Sequence, residues 1–222
     1  MRPTAIVFDL YGTLLHIGAL RERVRAAGIA DADAFVEAWR AKQIEFSWCC
    51  SLMDEYRDFD TLTRKALTYV LAAAGHELTP AAAEALAAGW LELAPHDDVK
   101  PFLAELQKRS VLLAVLTNGV RASAERALRS AGIRDAFDAL LSVESVRAYK
   151  PDPRVYRLAT AHYACDPERL LFVSSNGWDA SGASAFGFRV AYCNRTRKPG
   201  ETLGYAPAIT IGALAELNAF LE

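Results

Sequence analysis

The sequence has little that would tie it down covalently. Only four cysteines occur in 222 residues: Cys49, Cys50, Cys165 and Cys193. They form no CxxC pair and no zinc-like spacing with the four histidines, which argues against a disulfide scaffold or a structural zinc domain. Cys49 and Cys50 are neighbours and poorly placed to bridge, so the four read as reduced thiols of a cytoplasmic protein. Long apolar runs are also missing. The first, Ala5–Phe8, is stopped by Asp9, too soon for a signal-peptide core, and no run approaches the ~20 residues that span a bilayer. No excess of positive charge exists either. Lys and Arg number 25 against 27 Asp and Glu, a formal charge of -2, so the basic face of a nucleic-acid binder is not expected. Repeats, low-complexity tracts and charge blocks are absent. What remains is ample for a packed core, in one large domain or a domain carrying an insertion.

Short apolar runs alternate with longer helical patterns. Strands are expected at 5–9, 112–117, 139–143, 170–174, 189–193 and 208–211. These runs are continuous rather than alternating, as strands covered on both faces should be. Helices are expected at about 99–109, 122–131, 153–162 and 179–186. This rhythm predicts an α/β fold with a doubly wound, Rossmann-type parallel sheet. The rhythm fails between Leu15 and about Pro95, where the pattern is helical throughout and punctuated by Gly28, Gly75 and Pro80. That stretch is too long for one crossover. The expected organisation is a core of 1–14 and 96–222 with a helical cap inserted at 15–95.

Ligands of open parallel sheets bind at the carboxyl ends of the strands. The residues there are Asp9, Leu10 and Tyr11, then Thr117 and Asn118, then Ser174, Ser175 and Asn176, joined by "YKPDP" from Tyr149. The polar residues of the chain thus gather at one sheet edge. Asp9 alone can be a turn cap. Beside Gly12, which permits a tight turn, and Thr13, which can fix its rotamer, it fits a carboxylate nucleophile. Such a nucleophile near an anionic substrate meets a repulsion of about 4 kcal/mol at 4 Å and an effective dielectric of 20. Lys150, between Tyr149 and Pro151 at a strand-to-helix junction whose backbone Pro151 and Pro153 restrict, can offset it. Asp179 stands in the positive first turn of a helix and also suits a general base, with Ser174 and Asn176 as neighbours. Asn118 is either a turn residue before Gly119 or, with Thr117 and the local amides, part of an anion site. Arg40 shares a helix face with Val36 and Ile44, and so either snorkels or reaches the cleft below. Trp178 suits core packing and a pocket wall equally.

Together these motifs resemble the haloacid dehalogenase superfamily, and within it the L-2-haloacid dehalogenases of type II. The pattern covers almost the whole chain: "FDLYGTL" at 8–14, "LTNG" at 116–119, "YKPDPRVY" at 149–156 and "SSNGWD" at 174–179, with "WRAKQIEFSW" at 39–48 in the cap. Most of that superfamily are magnesium phosphatases with DxD in the first motif. Here position 11 is tyrosine, a poor acid or Mg²⁺ ligand near pH 7, and Ser175–Asn176 replace a frequent Gly–Asp. The resemblance therefore implies no metal and no cofactor.

It also implies a mechanism. Asp9 attacks C2 of a short L-2-halocarboxylate and expels halide towards Arg40 and Asn118. The substrate carboxylate lies on Thr117 and on amides near Leu10, Tyr11 and Asn118. Asp179, with Ser174 and Asn176, activates water against the Asp9 ester. Thr13 orients Asp9, Lys150 balances charge, and Tyr156 supports Lys150 or the pocket. Tyr11, Phe59 and Trp178 form walls. The implied product is a D-2-hydroxy acid, and the implied assembly a homodimer. Thr117 stands where that family usually has serine, keeping the hydroxyl and adding a methyl. Two competing readings are a phosphatase of unusual motif and a non-catalytic member of the superfamily.

Overall fold

A computed structural model describes residues 3–221. Six strands form one sheet: β1 (Ala5–Phe8), β2 (Leu112–Thr117), β3 (Ala139–Ser142), β4 (Leu170–Ser174), β5 (Arg189–Cys193) and β6 (Ile209–Ile211). Their order is β3-β2-β1-β4-β5-β6, and every pairing is parallel. This is the doubly wound α/β sheet expected. β1 lies at its centre, so both neighbours and both faces cover it, and its four residues are buried. The continuous apolar runs follow from that double cover.

Successive side chains of a strand point to opposite faces. Ile6, Phe8, Val115 and Val173 join one core cluster with Val99, Phe102 and Leu106 of α5 (Val99–Lys108) and Ala124 and Leu128 of α6 (Arg121–Ser130), helices numbered in chain order. Val7, Leu116, Phe172 and Val190 join the other, with Val155 and Tyr156 of α7 (Pro153–Tyr163) and Ala180 and Ala183 of α8 (Gly177–Phe186).

Ahead of α5, four helices follow β1: α1 (Leu20–Ala26), α2 (Ala32–Leu52), α3 (Phe59–Ala73) and α4 (Pro80–Ala88). The Asp31, Asp58 and Thr79 side chains accept the N-terminal amides of α2, α3 and α4 at Ala34, Thr61 and Ala82, satisfying donors a helix leaves open. The chain leaves and re-enters the sheet layer side by side. His16 N donates to the Ala94 carbonyl at 2.8 Å and His96 N to the Leu14 carbonyl at 3.0 Å. Trp39 of α2 is fully buried within the first core cluster, and its indole donates to the Thr63 carbonyl of α3 at 2.9 Å.

Boundaries shift slightly from expectation. β1 ends at Phe8, one residue before Asp9, and α8 starts at Gly177, two before Asp179. A side chain aimed into a cleft has no reason to obey the apolar pattern that marks an element's end.

Candidate active site

The first turn after β1 is built around a glycine. Gly12 has φ of +90°, which L side chains rarely adopt. The loop closes on itself: Gly12 N donates to the Leu15 carbonyl at 2.8 Å, and Leu14 N to the Leu10 carbonyl at 2.9 Å. That closure returns Thr13 to Asp9. Thr13 Oγ1 donates to Asp9 Oδ2 at 2.7 Å while accepting the Ser175 amide at 2.8 Å. The amide consumes a lone pair, so the hydroxyl hydrogen points at the carboxylate. Asn176 Nδ2 adds a second donor to Asp9 Oδ2 at 2.8 Å and reaches the Tyr11 carbonyl at 3.2 Å.

Lys150 supplies the other side. Its ammonium donates to Asp9 Oδ1 and to Asp179 Oδ2, each at 3.0 Å, and its side chain is 0% exposed. Its backbone is fixed at both ends: Lys150 N donates to Asn118 Oδ1 at 3.0 Å, and its carbonyl accepts the Trp48 indole at 3.1 Å. Asp179 is fully buried and takes two more donors, Ser174 Oγ on Oδ2 at 2.9 Å and Tyr156 Oη on Oδ1 at 2.8 Å. Burial pushes the Asp179 carboxyl up from its ordinary range, Lys150 pulls it back, and Asp9 pushes it up again. The net rise makes it a stronger base than a surface aspartate.

The other residues from the sequence lie around this pair. Arg40 does reach the cleft: its Nη2 lies 3.5 Å from the Tyr11 carbonyl, and Nη1 donates to Gln43 Oε1 at 2.6 Å. Burial lowers its pKa to about 10, which still leaves it cationic near neutrality. Tyr11 stacks on Phe59 with ring centroids 6.5 Å apart, and burial pushes its phenol above the ordinary range. Leu10 is buried beneath the turn. Thr117 is also buried, and its hydroxyl accepts the Gly119 amide at 3.0 Å. Trp178 meets Trp48 edge to face at 5.6 Å.

A cleft of about 480 Å³ lies among Ile17, Arg40, Ile44, Trp48, Asn176 and Trp178. It is therefore walled by α2 above and by the β4–α8 junction below. Arg21, Glu37 and Lys198 line it too, and apolar and aromatic walls with cations in excess suit a small organic acid. A smaller cavity of about 240 Å³ reaches Tyr11, Gln43, Phe59 and Trp90.

The donor set does not suit Mg²⁺, which favours several carboxylate oxygens in an octahedral shell. Asp9 and Asp179 both serve an ammonium, Asn176 turns its amide nitrogen to Asp9, and position 11 is a phenol. Among the described residues, no cluster of three His, Cys, Asp or Glu is placed to hold a metal.

Several residues in this network escape a sequence reading. Gln43 and Trp48 lie three and eight residues after Arg40 on α2, and the helical spacing to Gln43 was a usable signal. Thr63 and the pair Arg195–Asp98 had none. Arg195 donates to both Asp98 oxygens, at 3.2 and 2.9 Å, and to Ser175 Oγ at 3.0 Å, bracing the loop whose amide orients Thr13.

A parallel sheet with a buried aspartate, lysine and second aspartate at its carboxyl edge, under helices inserted after the first strand, defines a hydrolase class. The family model for haloacid dehalogenase-like hydrolases matches residues 3–187, and the chain belongs to that family. It is 41% identical over 217 residues to the (S)-2-haloacid dehalogenase of Pseudomonas sp. (strain YL), covering 98% of this chain and 94% of that protein. It is 38% identical to (S)-2-haloacid dehalogenase H-109 of Pseudomonas putida, covering 100% and 99%. Its fold is similar to the L-2-haloacid dehalogenase of Xanthobacter autotrophicus with chloropropionic acid covalently bound. There the TM-score is 0.92 at 33% identity, covering 99% of this chain and 98% of that one.

Proposed function

We propose that this enzyme hydrolyses short L-2-haloacids to D-2-hydroxy acids and halide, through an ester on Asp9 and without a divalent cation. One observation carries the reading. The Asp9 carboxylate is fixed by Thr13 and Asn176 on one oxygen and balanced by Lys150 on the other, and the same ammonium holds a second buried carboxylate, Asp179. A nucleophile and a base share one counter-ion.

The steps follow from these positions. Asp9 Oδ1 has Lys150 as its only donor among the described residues, which leaves lone pairs for attack. Attack from behind C2 forms a C–O bond as the C–halogen bond breaks, and the carbon inverts. Halide leaves towards Arg40, with the Asn118 amide beside it, and the substrate carboxylate rests on Thr117 and the amides near Leu10, Tyr11 and Asn118. A water molecule then gives a proton to Asp179 and adds to the ester carbonyl of Asp9. On collapse the C–O bond to Asp9 breaks, the departing alkoxide takes the proton held by Asp179 and leaves as the hydroxy acid, and Asp9 returns to its carboxylate as the second water proton passes to solvent. Ser174 and Tyr156 hold Asp179 in register for the second step, and Asn176 and Lys150 stabilise the oxyanion that forms on the ester. Tyr11, Phe59 and Trp178 wall the site.

Residues 15–95 act in this reading as a cap over a core of 1–14 and 96–222, carrying Arg40 into the cleft. The free thiols support a cytoplasmic setting, and the reading takes the enzyme to be a homodimer. The test is halide release from the two enantiomers of 2-chloropropionate in a chelator. Release from the L enantiomer, with inverted product, is expected. Hydrolysis of an aryl phosphate only with added Mg²⁺, and no halide release, would overturn the reading.

A further inference from the structure

One buried polar side chain is used by none of these steps. Gln43, on α2 one turn after Arg40, is 0% exposed. Its carboxamide is held at both ends. Arg40 Nη1 donates to Oε1 at 2.6 Å, and Nε2 donates to Thr63 Oγ1 of α3 at 2.5 Å. Thr63 passes its own hydrogen to the Phe59 carbonyl at 2.7 Å. The direction of this chain is forced. A carbonyl only accepts and a guanidinium only donates, so the amide oxygen must face Arg40.

The partners of Arg40 are all neutral. They are the Gln43 amide oxygen and, at 3.5 Å, the Tyr11 carbonyl, with the Trp90 ring centroid 5.7 Å from its guanidinium carbon. Among the described residues it takes part in no ion pair, whereas Lys150 touches two carboxylates. The site therefore holds two cations in different states: Lys150 is paired directly with two carboxylates, while Arg40 feels Asp9 and Asp179 only at longer range. A part-buried cation without a directly paired counter-ion is costly, and an arriving anion relieves that cost. Glutamate is the isosteric alternative at position 43. It would hold Arg40 equally well and cancel its charge.

We propose that Gln43 is a positioning residue that aims Arg40 into the cleft with a neutral acceptor, so that the leaving halide supplies the missing counter-charge. This rests on the reading of Arg40 as the halide receiver. Thr63 is the second member of the device, since its hydroxyl sets which way the amide faces.

The test is bromide binding to the purified enzyme at constant ionic strength, read by tryptophan fluorescence, with melting temperature in parallel. Gln43→Glu keeps shape and hydrogen bond but adds charge; Gln43→Leu keeps volume but loses the bond. The proposal requires bromide affinity to fall in the order wild type, Leu, Glu, with the Glu variant weaker by about tenfold or more. A merely structural role requires the reverse order for the two variants. Thr63→Val, which does not touch Arg40, should weaken bromide binding about threefold by freeing the amide. This variant decides the matter if the Glu variant does not fold. Wild-type affinity in both Gln43→Glu and Thr63→Val overturns the proposal. Arg40→Leu separates the two claims: unchanged bromide affinity there refutes Arg40 as the halide receiver itself.

Discussion

Replacing Lys150 with methionine isolates the charge on which the site is built. The ammonium lies 3.0 Å from one oxygen of Asp9 and 3.0 Å from one of Asp179. At an effective dielectric of 20, each contact is worth about 5 kcal/mol of gross attraction. Desolvation of the lysine offsets much of this, and breaking buried pairs typically costs about 3–5 kcal/mol net. Methionine fills the volume, so the loss is electrostatic. Two buried carboxylates then face each other unbalanced, and the shared site takes up a proton. Burial and Asp9 already push Asp179 up, with Lys150 opposing them. Without the lysine it rises further. A carboxyl raised in the folded state binds protons that the unfolded chain releases, so stability falls as pH rises from the unfolded value, about 3.9, through the folded one. The melting-temperature deficit of Lys150→Met against wild type should therefore be larger at about pH 8 than at about pH 5. Halide release should fall by at least about a hundredfold, with the pH–rate profile displaced to higher pH. A deficit equal at both pH values, or a wild-type rate, would refute the reasoning.

Three further outcomes follow from single contacts. Tyr156→Phe removes the donor on Asp179 Oδ1, a bond to a charged group worth about 1.5–3 kcal/mol; ester hydrolysis should slow about tenfold to a hundredfold while the initial halide burst persists, and a wild-type steady-state rate after the burst would contradict this. Gly12→Ala should destabilise by about 1–2 kcal/mol through backbone strain alone, because an added Cβ would meet Ile17 Cδ1 at an ordinary 3.5 Å; denaturant unfolding measures it, and a neutral result would show that the turn tolerates a side chain. Asp98 is pushed up by burial but lowered overall by Arg195 and the Leu214 amide, so Arg195→Met should cost about 1–3 kcal/mol near neutrality and less as pH falls through the acid range, where Asp98 protonates. Thermal melts against pH test this, and a deficit that grows on acidification would contradict it.

The sheet was legible because its central strands are short continuous apolar runs between polar ends; the edge strand β6, Ile-Thr-Ile with Thr210 exposed, is marked more faintly. The convergence of Asp9, Lys150, Ser174, Asn176 and Asp179 was legible for a related reason. In a parallel sheet every strand delivers its carboxyl end to the same edge, so residues far apart in sequence share one cleft. Arg40 was only half legible. Helical periodicity places it between Val36 and Ile44, and a helix face does not say whether the guanidinium turns to solvent or to the cleft. Contacts between elements left no trace in spacing. Gln43 of α2 meets Thr63 of α3 twenty residues on, and Asp98 meets Arg195 at a separation of 97. Such pairs are chosen by packing of helices and loops, which no local pattern encodes. Thr117 illustrates a subtler gap: its hydroxyl binds the amide two residues on, a turn contact that the bare motif does not reveal.

The origin of the oxygen in the product tests the central claim most directly. One turnover is run with enzyme in excess over L-2-chloropropionate in ¹⁸O-water, and both the acid and the Asp9 peptide are weighed. If Asp9 displaces the halide, the hydroxy acid is unlabelled and the heavy oxygen is found on Asp9. A labelled hydroxyl group with an unlabelled Asp9 would mean that water attacks the carbon itself.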